Sequence, residues 1–478
     1  MAQPMFSGKQ LPKYHEGMLI VKMRSSSRLR SALAATSERE SVLESSGMSA
    51  LSTFERAGLI KQVIPLARPM QQESPIIGSR RAMATLATSI EEVSPDNINA
   101  GVNIIELERD QDVSELQIAL ANEPNVEFVS RVPVRYLVSR TQPKSSGVGI
   151  AAVPPPASTM WNLAKIRWQE ARVLPSFQDA TNIRVAVLDT GIDSNHPDLQ
   201  GKVNSYVFEH PDFPNASGEK DIIGHGTHVA GTIAASINNN LGINGICECQ
   251  LDIWKIFDDR PDFLSCRLGY AYYVNPVMYR RALADCLEQN IDVINLSIGG
   301  EGKPDAQEQA LFDALLANGT TIVAAMGNER QEGNRTSYPA AIPGVIAVGA
   351  TNIDDTFANF SNYGNHISIS APGVSIWSTL PTYPGQFGFE AICTGRRPRL
   401  GRALQRETDY DAWDGTSMAT PHVVGAVALL LANKGKMNAA EVRRQLMKTA
   451  DKVPGMGGSD FHPDFGAGRL NLLRLLSE

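Results

Sequence analysis

An α/β fold, with a parallel central sheet covered by helices on both faces and preceded by a small α+β domain, is what this 478-residue chain predicts. Three observations carry the prediction. From Trp161 onward, short apolar runs alternate with helical patterns. The runs, such as "VAVLD" and "DVINLSIGG", are apolar on both faces, which requires strands covered on both sides. Upstream, "QPKSSGVGIAAVPPPAS" (142–158) is rich in Pro, Gly and Ser and reads as an exposed linker. The expected division is 1–140, a linker at 141–160, and a large domain at 161–478.

Within 1–140, "GMLIVKM" (17–23) and "NAGVNIIELE" (99–108) are strand-like. "DVSELQIALANEP" (112–124) has helical spacing with Asp112 as N-cap, and "NVEFVSRVPVRYLV" (125–138) is extended. The Ser-, Arg- and Ala-rich stretch 24–98 is expected to be part helical and part mobile. In the large domain, strands are expected at "IRVAVLD", "LDIWKIF", "IDVINLSIGG", "TTIVAAMGN" and "GVIAVGA". Helices are expected near 225–237, 276–290, 305–318, 417–433 and 439–450. In such a sheet chemistry collects at the carboxyl ends of the strands.

Charge narrows the function classes. The net charge is −7, and acidic and basic residues balance within 1–140, so all the excess negative charge lies in the large domain. That excludes a phosphate-neutralising surface and argues against nucleic-acid binding. Arg396, Arg397, Arg399, Arg402 and Arg406 cluster and read as a solvated loop. The start lacks a secretory apolar run, and apolar runs elsewhere are too short and interrupted for a membrane span, so a cytoplasmic protein is expected. Five cysteines, an odd count in a long chain, fit reduced thiols. Cys247 and Cys249 lack a second ligand pair for a metal site.

Three segments carry candidate chemistry. Asp189 ends a buried run, where an orienting acid would meet the crevice, although aspartates there are commonly turn formers. His225 and His228 open a helix in "GHGTHVAGT"; no third ligand or glutamate supports a zinc reading, whereas an imidazole in the first turn can take a proton from a hydroxyl. His228 reads as a core residue. Ser417, in "DGTSMATPH", opens an apolar helix whose N-terminus favours negative charge. A serine needs a base, and the base an orienting acid.

In the chain order Asp, His, Ser, the segments "VAVLDTGID", "HGTHVAGT" and "GTSMATPH" resemble the subtilisin-like serine proteases, the subtilases. Further matches stand at "NLSIGG" and "AAMGNE". The resemblance covers about 161–478 and implies a subtilisin-like fold with Asp189 as orienting acid, His225 as general base and Ser417 as nucleophile. It implies Asn328 as side-chain donor to the oxyanion, beside the Ser417 N–H. Ser297, Ile298 and Gly299, with Ala325, Gly327 and Glu329, would wall the pocket for an extended polypeptide substrate. Ser337 stands where bacterial subtilisins usually have Gly. Segments 260–278 and 381–413 depart from the compact pattern and are expected to flank the cleft.

Catalysis of this type requires no cofactor. "HPDL" (196–199) and "NNNLGINGI" (238–246) resemble the family's calcium site, which implies a structural calcium held by Asp198, Asn239 and loop carbonyls. The front domain resembles the inhibitory propeptide, which would make it an intramolecular inhibitor with self-cleavage near Tyr136 to Val138. Expected function is therefore a serine endopeptidase made as an autoinhibited zymogen. Alternatives are a peptide-maturation transamidase or macrocyclase, or a non-enzymatic binding protein on the same fold.

Overall fold

Seven parallel strands form the central sheet of the large unit. Their order is Ile369–Pro372, Ile346–Thr351, Thr321–Ala325, Val293–Leu296, Arg184–Asp189, Gln250–Lys255 and Val203–Val207. The computed structural model describes residues 12–24, 53–54, 56–67, 98–108, 112–137, 160–208, 218–266, 269–394 and 398–478. All five strands expected in the sheet are there. Its two edge strands were not expected: Val203–Val207 is half exposed, and Ile369–Pro372 contains Ser370 and Pro372, so neither is an unbroken apolar run.

Burial explains the parallel arrangement. Val185, Val187, Val293, Val323, Ile346 and Val348 join one core with the helices His225–Ala234 and Thr416–Lys434. The intervening Ala186, Leu188, Ile294, Leu296 and Ala324 are equally buried but point to the opposite face. The helices Pro276–Glu288, Ala306–Ala317 and Ala439–Thr449 lie where their spacing predicts them. Thr416–Lys434 is long and apolar enough to cross a membrane, contrary to the reading of its run as too short, but 89% of its apolar window is buried in the fold.

The chain divides into two compact units, and the smaller one comprises Pro12–Pro133 with Pro304–Leu311. Its antiparallel sheet runs Ile60–Pro65, Val102–Leu107, Tyr14–Met23 and Val126–Pro133. Leu19, Val21, Ile105 and Leu107 lie on the face that meets Leu116 and Leu120 of the helix Val113–Ala121. Asp112 caps that helix by accepting the Ser114 N–H at 2.9 Å. The strand Ile60–Pro65 lies in the stretch expected to be helical and mobile; its register against Val102–Leu107 supplies backbone partners that propensity alone does not reveal. Most of 24–98, and 141–159 of the expected linker, lie outside the described residues.

Both departing segments form hairpins. Asp262–Ser265 pairs with Gly269–Ala271, and Gln386–Ile392 pairs with Arg399–Gln405. A disulfide joins Cys266 to Cys393, with Cα atoms 5.5 Å apart, which corrects the expectation of five reduced thiols. Sequence separation hid the pairing: the partners are 127 residues apart and meet only once both hairpins fold. Cys247, Cys249 and Cys286 are free and buried.

Candidate active site

Asp189 is buried at the carboxyl end of its strand, and its Oδ1 lies 2.7 Å from His225 Nδ1. The same oxygen accepts the Thr190 N–H at 2.7 Å. A carboxylate at Nδ1 holds that proton on Nδ1 and leaves the Nε2 lone pair for a substrate-side proton. His225 Nε2 is buried and makes no hydrogen bond with the described residues. Gly226 permits the close approach, because a Cβ there would lie 2.1 Å from the Gly191 carbonyl oxygen. Asp221 fastens the helix start: its carboxylate accepts from Gly224 N, Thr227 N, Thr227 Oγ1 and Thr190 Oγ1.

His228 is a core residue, as read. Its ring stacks on Trp413 with centroids 4.9 Å apart, and its Nε2 lies 3.0 Å from the Ile376 carbonyl oxygen. Burial lowers its pKa to about 3. Trp413 also stands 6.2 Å from the His225 ring, centroid to centroid.

Ser417 is the second residue of Thr416–Lys434, in the helical turn whose N–H groups lack intrahelical acceptors. Its Oγ donates to the Ser297 carbonyl oxygen at 3.3 Å, and Ser297 Oγ donates to the Ser417 carbonyl oxygen at 3.2 Å. The serine helix also packs against the histidine helix. Asn328 follows the strand Thr321–Ala325, and its Oδ1 accepts from Thr416 N and Thr416 Oγ1, each at 2.9 Å. Those two donors fix the amide, so the NH2 group faces away from them, 3.4 Å from a Cβ position on Gly415. Asn328 Nδ2 is buried without a partner among the described residues. An unspent amide donor beside a serine at a helix N-terminus suits a developing negative oxygen.

The expected pocket residues gather around a segment of the same unit. Tyr136 and Leu137 pair antiparallel with Gly299 and Ile298. On the other side, Leu137 N–H donates to the Tyr272 carbonyl oxygen at 3.1 Å, and Val274 N–H donates to the Arg135 carbonyl oxygen at 2.8 Å. Residues 135–137 thus run between the strand Ile298–Gly299 and the extended stretch Tyr272–Val274. Tyr136 packs with Ala325 and Ala271, and its hydroxyl stands 3.4 Å from Glu329 Oε1. Glu329 Oε2 accepts from Asn362 Nδ2 at 2.8 Å. Gly327 N–H donates to Thr416 Oγ1 at 3.2 Å, tying the pocket wall to the serine helix. Ser337, in place of glycine, accepts the Gly300 N–H at 3.3 Å.

The residues expected to hold calcium do meet, but with the wrong polarity. Asp198 Oδ1 accepts from Asn239 Nδ2 at 2.7 Å, and its Oδ2 accepts from Ile243 N and Tyr410 Oη, both at 3.0 Å. Asn239 Oδ1 is spent on the Leu241 N–H at 3.0 Å, which fixes its amide with the hydrogens toward Asp198. A cation needs lone pairs where three hydrogens point. These two side chains, so oriented, do not fit calcium, and among the described residues no cluster of three or more His, Cys, Asp or Glu suits a metal. Gly242, at φ +28°, makes room for Tyr410, whose ring carbons lie 2.3 Å from where a Cβ would stand.

Sequence reading missed Asp221, Thr190, Trp413, Asn362 and Arg406. Asp221, four residues before His225, is the one whose position carried a signal. Of the supposed solvated arginines, Arg402 is exposed and pairs with Glu390, and 395–397 lie outside the described residues. Arg406 is corrected: it is 2% exposed.

Comparison with known proteins agrees with this geometry. The Subtilase family pattern matches residues 180–468. Subtilisin amylosacchariticus from Bacillus subtilis subsp. amylosacchariticus is 36% identical over 296 residues, covering 61% of this chain and 65% of that protein. The match therefore spans just under two thirds of that relative's length. Thermitase from Thermoactinomyces vulgaris is 34% identical over 282 residues, 58% of this chain and 85% of its own. The crystal structure of fervidolysin from Fervidobacterium pennivorans, a keratinolytic enzyme related to subtilisin, superposes with a TM-score of 0.64. It is 24% identical, and the alignment covers 100% of this chain and 64% of that one. With most of its large unit inside the family pattern and its Asp, His and Ser segments in the family's order, this chain belongs to the subtilase family.

Proposed function

We propose that the chain is a serine endopeptidase in which Ser417, His225 and Asp189 act together. The observation that carries the reading is the 2.7 Å contact of Asp189 with His225 Nδ1, which leaves a buried, unspent Nε2. Ser417 Oγ adds to the peptide carbonyl carbon as its proton passes to Nε2. Asn328 Nδ2 and the Ser417 N–H hold the resulting oxyanion. Nε2 then protonates the leaving amine, giving an acyl-enzyme, and water activated by His225 releases the acid and restores Ser417. Asp189 stabilises the imidazolium throughout.

The stretch 134–137 supports autoinhibition by the chain's own front region. It lies as an added strand between Ile298–Gly299 and the Tyr272–Val274 stretch, the way an extended substrate would. The exposed disulfide favours an oxidising compartment over the cytoplasm. Incubated wild-type protein should acquire a new N-terminus just after residues 136–138 and bind a serine-directed phosphonate. Ser417→Ala should do neither. Equal processing of both proteins would end the autocatalytic reading, and absence of labelling in the wild type would end the nucleophile assignment.

A further inference from the structure

Arg406, from the inserted 381–413 segment, is a buried cation whose hydrogen bonds reach the turn before His225. Its five N–H groups reach five neutral carbonyl oxygens and no carboxylate among the described residues. Nε donates to Ile222 O at 3.0 Å, Nη2 to Asp221 O at 3.3 Å and Tyr383 O at 3.1 Å, and Nη1 to Glu407 O at 2.9 Å and Pro381 O at 3.3 Å. Burial lowers its pKa against the pull of the Asp221, Asp193 and Asp409 charges, so holding this charge without a carboxylate in hydrogen-bond contact costs stability. Such a cost calls for a return elsewhere.

Its place in the chain shows the return. Asp221 and Ile222 lead directly into Gly224 and the helix that begins at His225. That turn is gripped from two sides. Inside, the Asp221 carboxylate collects the helix-start N–H groups and the Thr190 hydroxyl, next to Asp189. Outside, Asp221 N–H donates to the Tyr383 hydroxyl at 2.8 Å, and the Ile222 carbonyl accepts from Gln386 N at 3.2 Å as well as from Arg406. A lysine keeps the charge but cannot span five acceptors with a planar fork.

We infer that Arg406, with Tyr383, is a positioning residue for the general base: the inserted segment clamps the turn 221–224 and so sets where His225 stands against Asp189 and Ser417. This rests on the reading of His225 as base. Proton transfer depends steeply on placement, so a loosened turn should slow turnover and leave peptide binding intact.

The test uses protein expressed as the full chain, cleaved after residues 136–138 by added wild-type enzyme where a variant does not process itself and then purified from it, and a peptide anilide substrate. His225→Ala is measured first; if it retains wild-type activity, the reading of the base fails and the clamp has nothing to position. With that control inactive, Arg406→Lys should lower kcat by about tenfold or more at unchanged KM, and Tyr383→Phe by about threefold. Near-UV circular dichroism reports whether each variant is folded. A merely structural clamp would lower the folded fraction and leave kcat per folded molecule alone. A kcat within about twofold of wild type in both folded variants, or an effect confined to KM, overturns the inference. If Arg406→Lys does not fold, Tyr383→Phe, which removes one oxygen and opens no cavity, decides by the same criteria.

Discussion

Two sites in the large unit were expected from sequence segments, and in both the segments meet. Around His225 the polarity of the groups matches the expected chemistry: a carboxylate faces Nδ1, while Nε2 and Asn328 Nδ2 are left unspent. Around Asp198 the polarity is reversed, since Asn239, Ile243 and Tyr410 all present hydrogens to the carboxylate. The lesson is that residue types at the right spacing predict convergence, whereas the direction of each hydrogen bond depends on the third residue that joins. At the first site that residue is Thr190 or Thr416, local to the same motifs. At the second it is Leu241, whose N–H turns the Asn239 amide toward Asp198, while Tyr410, from an insertion more than two hundred positions away, adds a further hydrogen.

The largest test of the contrast removes the engine of the first site. Ser417→Ala should lower kcat by about 10⁶-fold, the scale found for subtilisin in the same family. A loss under about a hundredfold would mean that another group attacks the carbonyl. Asn328→Ala should cost about 10²–10³-fold in kcat with little change in KM, because its Nδ2 has no ground-state partner among the described residues. Should KM rise instead, Asn328 would be holding substrate and not the oxyanion.

Legibility followed locality. The parallel strands were readable because "VAVLD", "INL" and "IVAA" are apolar on both faces, and the helices by their spacing; Asn275 and Asn438, which accept N–H groups as N-caps, were not singled out. Asp189, His225 and Ser417 were readable through short segments whose glycines, such as Gly226, serve close approach and so travel with the chemistry. The edge strands were not, because neither is an unbroken apolar run, nor were the strand Ile60–Pro65 and the disulfide, which exist only through partners far along the chain. Arg406 was misread for the same reason: a run of arginines looks solvated until the fold brings five carbonyls to one of them.

Histidines on the two active helices sharpen the comparison through pH. His228 is buried against Trp413, and His422 Nδ1 lies 2.9 Å from the Met418 carbonyl oxygen while its Nε2 lies 2.9 Å from Asn162 Nδ2. Burial lowers their pKa values to about 3 and about 4. Both are therefore neutral in the fold, while in the unfolded chain they bind protons below the ordinary histidine value of about 6.5. Between those limits the unfolded state holds more protons, so stability rises with pH and is lost as pH falls below about 6.5. Each should contribute about 1.4 kcal/mol per pH unit, down to about pH 4 for His422. Urea unfolding of Ser417→Ala, which avoids autolysis, should show this decline between pH 6 and pH 4.5. His422→Gln should make the decline shallower, and an unchanged slope would reject the assignment to His422.

The smallest expected effect falls at the second site and is the most direct probe of its polarity. If calcium held Asp198 and Asn239, chelation would remove a ligand that binds only the folded state and would lower Tm. With Tyr410 Oη donating there instead, excess EDTA should leave Tm unchanged, and added calcium should not raise it. Burial, then the charge of Asp198, raises the Tyr410 pKa, so the hydroxyl remains a donor well above neutral pH. Tyr410→Phe keeps the ring that fills the space over Gly242 and removes only that donor, at a cost of about 1.5–3 kcal/mol for a hydrogen bond to a charged group. It also bares one carboxylate lone pair without turning the Asn239 amide or the Ile243 N–H, so the variant should remain as indifferent to EDTA as the wild type. A Tm that falls on chelation in the wild type would show that the donors around Asp198 can reorient around a cation, and the contrast between the two sites would collapse.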